Sequence, residues 1–179
     1  DLTPTEFKGY YKGYAKGRAR HAQSLLDVPA GAPLPGLENV QRVEDLPDAW
    51  DWRTQTTKGG SKIVTPAKDQ GGCGSCWAFS TAETLESHVA IETDKLFMMS
   101  PQQVVDCAPN PDKCGGTGGC EGSVQWLGFN YTIGTGITTE KDYPYKGQDQ
   151  KCKTASIKPV AGIKGYVRLP TNNYTMLMN

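Results

Sequence analysis

Three things are scarce in this chain, and each scarcity excludes something. No apolar run approaches the roughly 18 residues that a membrane-spanning helix needs, so no span is expected. Residues 1 to 20 are polar and tyrosine-rich, with no signal-peptide core. Charge of one sign is nowhere in excess, because 19 Lys and Arg are matched by 19 Asp and Glu spread along the chain. Without a basic patch there is no electrostatic footprint for nucleic acid, and that partner is disfavoured. Histidine is nearly missing: 179 residues contain only His21 and His88, which limits acid–base chemistry near neutral pH.

What is present begins with six cysteines between residues 73 and 152, a number that argues for disulfides and an oxidising compartment. The sequons Asn130-Tyr131-Thr132 and Asn173-Tyr174-Thr175 fit the glycosylation acceptor pattern and agree with that setting. A secreted, vacuolar or lysosomal protein is expected, with any signal peptide upstream of Asp1.

Thr3-Pro4-Thr5-Glu6 predicts a short helix, with Thr3 as N-cap and Pro4 at the first helical position. Val28 to Leu37 carries Pro29, Pro33 and Pro35 with Gly31 and Gly36, which suits a linker. From Leu46, with Trp50, Trp52 and Ile63-Val64, a folded body begins. Trp77, Phe79, Ala82, Leu85, Val89 and Ala90 recur at helical spacing without glycine or proline, predicting a helix from Ser75 to about Thr93. Ser100-Pro101 opens a second helix ending near Cys107. Cys107 to Ser123 reads as a loop, Val124 to Asn130 as a short helix, and Val160 to Leu169 as a strand.

The chemistry concentrates in Asp69 to Ser80, DQGGCGSCWAFS. A thiol attacks a carbonyl as thiolate, and with a free pKa of about 8.5 it needs help near neutral pH. Cys76 falls in the first turn of the predicted helix, where unpaired N–H groups and the helix dipole favour an anion. Gly71, Gly72 and Gly74 leave the preceding backbone open to a peptide carbonyl. The Gln70 side-chain amide, with the backbone N–H of Cys76, can then meet the oxyanion formed on attack. Other readings of Cys73-x-x-Cys76 are a dithiol redox pair, a zinc site completed by Cys114 and Cys120, and a purely structural Cys76. The Gln70 spacing favours the nucleophile.

The run Gln70 to Ser80 resembles the active-site block of papain-like cysteine proteases, the family of the lysosomal cathepsins. Leu46-Pro47 through Asp51-Trp52-Arg53 is similar to that family's mature N-terminus. Ser100 to Cys107 is similar to the segment after the active-site helix, and Tyr143-Pro144-Tyr145 with Cys152 to the close of the helical domain. Asp1-Leu2-Thr3 with Glu6-Phe7 resembles the tail of an inhibitory prosegment. The resemblance implies an α+β, papain-like fold: prosegment tail and linker over 1–45, the helical left domain over 46–158, and the first strand of a β-barrel right domain over 159–179. It implies cleavage between Gly36 and Leu46, peptide or protein substrates, the chain's own prosegment as inhibitor, and neither cofactor nor metal. It places the nucleophile on Cys76 and the oxyanion donor on Gln70. Disulfides are implied for Cys73 with Cys120 and Cys107 with Cys152, which leaves Cys114 without a partner. Substrate contacts fall on Gly74, Trp77, Gly122 and Ser123, the serine standing where the family carries a second glycine.

The same family needs a histidine, oriented by an asparagine, roughly 130–150 residues after its cysteine. From Cys76 that distance passes Asn179. His88 lies twelve residues along the same helix, about 18 Å away, and is expected as a surface residue. His21 belongs to the prosegment-like region and is expected to be solvated. The chain is therefore expected to be part of a full enzyme, with two alternatives: one piece held by other chains, or a non-catalytic homologue that only binds peptide or protein. A half-built barrel would leave strand edges open, which favours the first.

Overall fold

A computed structural model describes residues 40–153, 155, 158–170 and 172–178. The expected helix near Thr3, the proline-rich linker and His21 lie outside the described residues.

The central element is α1, Cys76–Thr93. Its sequence has no glycine or proline, so nothing interrupts the backbone ladder. It buries Trp77, Ala78, Phe79, Ala82, Leu85 and Ala90 together with the polar Thr81 and Glu86, which spreads the buried surface over more than one face. The helix accordingly packs against two partners, α2 (Pro101–Cys107) and α3 (Gln125–Thr135). Asp94 ends it in the left-handed conformation, φ 58°, with its N–H on Ala90 O. Asp tolerates that geometry better than most residues, and its Oδ1 accepts from Gly59 N at 2.7 Å.

Helix α2 starts as its sequence predicts. Pro101 occupies the first turn, and Ser100 Oγ accepts from Gln103 N at 3.0 Å. Two buried glutamines then stitch α2 to its surroundings. Gln103 donates to Tyr131 Oη (3.0 Å) and Gly136 O (3.2 Å) and accepts from Thr138 N (2.8 Å). Gln102 donates to Gln148 O (2.8 Å) and accepts from Lys146 N (2.8 Å). Satisfied in this way, they sit in the interior without the cost of an unpaired amide.

Helix α3 runs five residues beyond the expected Asn130, to Thr135. Thr132, Ile133 and Thr135 are weak helix formers, but Thr132 and Thr135 return their hydroxyls to Phe129 O (2.9 Å) and Tyr131 O (2.8 Å), and Thr132 is fully buried. Tertiary packing overrides propensity here. The core beneath the three helices is built from Trp77, Ala78, Ala82, Leu85, Met99, Val104, Val105 and Ile137, with Cys73 and Cys120.

The strand expected over Val160–Leu169 is not formed among the described residues. Pairing is confined to Ile137 and Ala161, with Ile137 N on Ala161 O at 2.8 Å and Val160 N on Ile137 O at 2.9 Å. Alternating side chains suit a strand only where a neighbour takes its backbone groups. This segment instead packs on α3 through Tyr166 against Phe129 (5.3 Å between ring centroids) and Arg168 over Trp126 (5.3 Å). A short helix, α4 (Tyr174–Met178), follows, and Asn173 Oδ1 accepts from Met176 N at 3.0 Å.

Candidate active site

Residues 69–75 form the loop that delivers Cys76 to the start of α1. Asp69 Oδ1 accepts from Gly71 N at 2.8 Å and closes a tight turn in which Gly71 adopts φ +60°, a conformation glycine reaches without strain. A disulfide joins Cys73 to Cys120, and Gly74 N donates to Cys120 O at 2.9 Å. A second disulfide joins Cys107 to Cys152. Between these anchors Cys76 is a free, partly exposed thiol and the first residue of α1. Its sulfur therefore belongs to a helix N-terminus. Cys73 and Cys120 are spent on their disulfide, so neither serves as a zinc thiolate or as a redox partner for Cys76.

Gln70 is half-buried and held at both ends. Its Nε2 donates to Cys73 O at 2.9 Å, which leaves the second N–H of that amide for another acceptor. Its backbone carbonyl accepts from Tyr145 Oη at 2.8 Å. The same hydroxyl lies 2.6 Å from Ser75 Oγ, and the Tyr145 ring stands edge-on to Phe79 at 4.8 Å. Burial raises the Tyr145 phenol above its ordinary pKa, so it is a neutral donor.

Gly74, Gly122 and Ser123 are buried, and so is Trp77, whose Nε1 donates to Gly119 O at 3.1 Å. Ser123 Oγ is buried without a hydrogen-bond partner among the described residues. The loop ahead of it is pinned by Asn110, whose side chain bonds Cys114 N (2.8 Å), Cys114 O (3.1 Å) and Gly116 O (3.0 Å). Cys114 is a buried free thiol in that loop. His88 is exposed near the far end of α1, beside a cleft of about 430 Å³ that Val89, Phe97, Val160 and Ile163 also line. That cleft lies away from the thiol. Asn130 and Asn173 are exposed.

Behind the site, and unforeseen from the sequence, is a buried ionic group. Lys68 Nζ pairs with Glu86, whose carboxylate also accepts from Thr65 Oγ1 (2.6 Å) and Met99 N (2.7 Å). Glu140 Oε1 accepts from Tyr145 N at 2.7 Å, and burial pushes its carboxyl above the ordinary value. The partners of Glu86 lie 13 to 21 residues from it in sequence, and no local pattern announces them.

Comparison with known proteins agrees with this arrangement. The family model for papain family cysteine protease matches residues 46–179. The chain is 42% identical over 179 residues to a senescence-specific cysteine protease, SAG39, of Oryza sativa subsp. indica, covering 99% of this chain and 47% of that protein. It is 42% identical over 128 residues to pro-cathepsin H of Bos taurus, covering 71% of this chain and 36% of that one. Among solved structures, a recombinant stem bromelain precursor superposes with a TM-score of 0.71 at 32% identity, covering 99% of this chain and 49% of the other. The proform of the ragweed pollen allergen Amb a 11, a cysteine protease, gives 0.67 at 35% identity, covering 92% and 46%. The chain thus spans about half the length of these relatives, or less. With the free cysteine at the helix start and the glutamine six residues before it, the chain belongs to the papain family of cysteine proteases.

Proposed function

We propose that this chain supplies the nucleophile half of a peptidase that cleaves peptide bonds in protein substrates. The Cys76 thiolate attacks the scissile carbonyl. The oxyanion is met by the free N–H of the Gln70 amide and the backbone N–H of Cys76, and collapse gives a thioester with release of the amine. Water then hydrolyses the thioester and restores the thiol. The base that takes the thiol proton and delivers it to the leaving amine is a histidine, oriented by an asparagine, from outside this chain; exposed His88 is not that residue.

The reading extends to the rest of the chain. Residues 46–158 form the helical domain, 159–179 enter the second domain, and 1–45 end an inhibitory prosegment. Gly74, Trp77, Gly122 and Ser123 line the peptide-binding side, with Ser123 acting through its backbone. Asn130 and Asn173 are glycosylation acceptors, and the compartment is vacuolar, lysosomal or extracellular.

The observation that carries this reading is a free thiol at a helix N-terminus, six residues after a glutamine whose amide is fixed on Cys73 O. A peptidyl epoxide applied to the full-length protein tests it. Stoichiometric labelling that disappears in Cys76→Ala is expected. Folded protein that stays unlabelled, or labelling that survives the substitution, overturns the assignment.

A further inference from the structure

We propose that Tyr145 is a positioning residue for the oxyanion site, its single hydroxyl tying the Gln70 backbone to Ser75, the residue immediately before Cys76. The inference rests on the peptidase reading above. The bonding directions follow from proton count. A phenol has one proton, and the Tyr145 hydroxyl donates it to Gln70 O at 2.8 Å. It therefore accepts from Ser75 Oγ, which lies 2.6 Å away, against 3.4 Å between that oxygen and Cys73 O. Ser75 is fully buried, and its side chain makes no cap bond to α1, so its hydroxyl is committed to the tyrosine.

The relay Ser75–Tyr145–Gln70 spans the loop from nucleophile to oxyanion donor. The tyrosine is itself held on two sides, by Phe79 of α1 against its ring and by Glu140 on its backbone N–H. Gln70 meanwhile anchors its side chain on Cys73 O. The amide that must meet the oxyanion is thus fixed by a side-chain bond to Cys73 and by a backbone bond to Tyr145. Removing the second frees the Gln70 backbone to shift, and small shifts of a preorganised donor cost binding of the tetrahedral species more than they cost folding.

Tyr145→Phe in the full-length protein removes both hydroxyl bonds and keeps the ring against Phe79. Two probes separate its effects. A peptide aldehyde adds the Cys76 sulfur to its carbonyl carbon and places the resulting oxygen in the oxyanion site. With chloroacetamide the same sulfur bonds to a saturated carbon and expels chloride ion to solvent, so no oxyanion forms. The variant is expected to bind the aldehyde about tenfold more weakly while chloroacetamide reacts within about twofold of the wild-type rate. Tyr143→Phe, which removes a buried hydroxyl bonded at 2.6 Å to Asp106, serves as control and is expected to leave the aldehyde affinity unchanged. Should Tyr145→Phe fail to fold, Ser75→Ala cuts the relay from its other end and is expected to move the same ratio. Unchanged aldehyde affinity, or equal losses with both probes, overturns the positioning role alone. A wild-type protein that captures no aldehyde overturns the peptidase reading with it.

Discussion

Glu140 sits half-buried, with one carboxylate oxygen on Tyr145 N and the other buried without a hydrogen-bond partner among the described residues. Burial is the main cause of its raised pKa; the Tyr145 N–H, Lys68 and Lys146 pull the other way, and Glu86 adds to the rise. A carboxyl raised on folding is protonated alike in both states below the ordinary value of 4.5, and there it costs nothing. As pH climbs through the raised folded-state value, the unfolded chain ionises more readily and stability is lost. Glu140→Gln keeps an oxygen for Tyr145 N and removes the charge. Its melting temperature relative to wild type is expected to rise as pH climbs above 4.5 and to level off once pH passes the raised folded-state value, a trend that thermal denaturation from about pH 4 to pH 8 checks. A constant offset would show that the carboxylate is not penalised. Cys76 and Gln70 were legible at this scale because both lie in one short run whose spacing carries the chemistry. Tyr145 was not, since 75 residues separate it from Gln70 and its hydroxyl has no local signature.

Among the elements, the crossing of α1 and α3 depends on a residue without a side chain. A Cβ on Gly128 would stand 2.3 Å from Thr81 Oγ1 and 2.9 Å from Thr81 Cγ2, and Thr81 is fully buried with its hydroxyl on Trp77 O and Gln125 O. Gly128→Ala is therefore expected to overpack this contact and destabilise the protein by about 1–3 kcal/mol, despite alanine's better helix propensity. Paired with Thr81→Ala, the loss should be well below the sum of the two single losses, because the clashing atoms are gone. Denaturant midpoints of the four proteins decide it, and simple additivity would falsify the close-contact account. The helices themselves were legible to different degrees. Helix α1 is an uninterrupted apolar run, and α2 announces itself through Ser100-Pro101. The later turns of α3 rest on packing and on threonine hydroxyls that its sequence conceals. The alternation over Val160–Leu169 suits a strand, but its pairing at one bridge depends on what lies beside it, which a single segment cannot encode.

At the scale of the molecule, two disulfides tie the segment carrying the site to the segments that follow it. Each spans a similar stretch, 47 residues for Cys73–Cys120 and 45 for Cys107–Cys152, so chain-entropy arguments assign each about 4 kcal/mol. Equal thermodynamic weight need not mean equal functional weight. Cys73 lies between Gln70 and Cys76, and its carbonyl holds the Gln70 amide; Cys107 ends α2, and Cys152 lies well beyond the site in sequence. Replacing Cys107 and Cys152 together by alanine is expected to cost about 2–5 kcal/mol and to leave the reaction of Cys76 with a peptidyl epoxide near the wild-type rate. Replacing Cys73 and Cys120 together is expected to cost a similar amount and, in addition, to slow that reaction at least about tenfold, because the loop that delivers Cys76 to the start of α1 loses its anchor. Guanidinium denaturation measures the first quantity and labelling kinetics under folding conditions the second. If both double variants label equally fast, the bridge beside the thiol acts only as a staple, and the geometry around Cys76 is maintained by the Gln70, Tyr145 and Ser75 bonds alone.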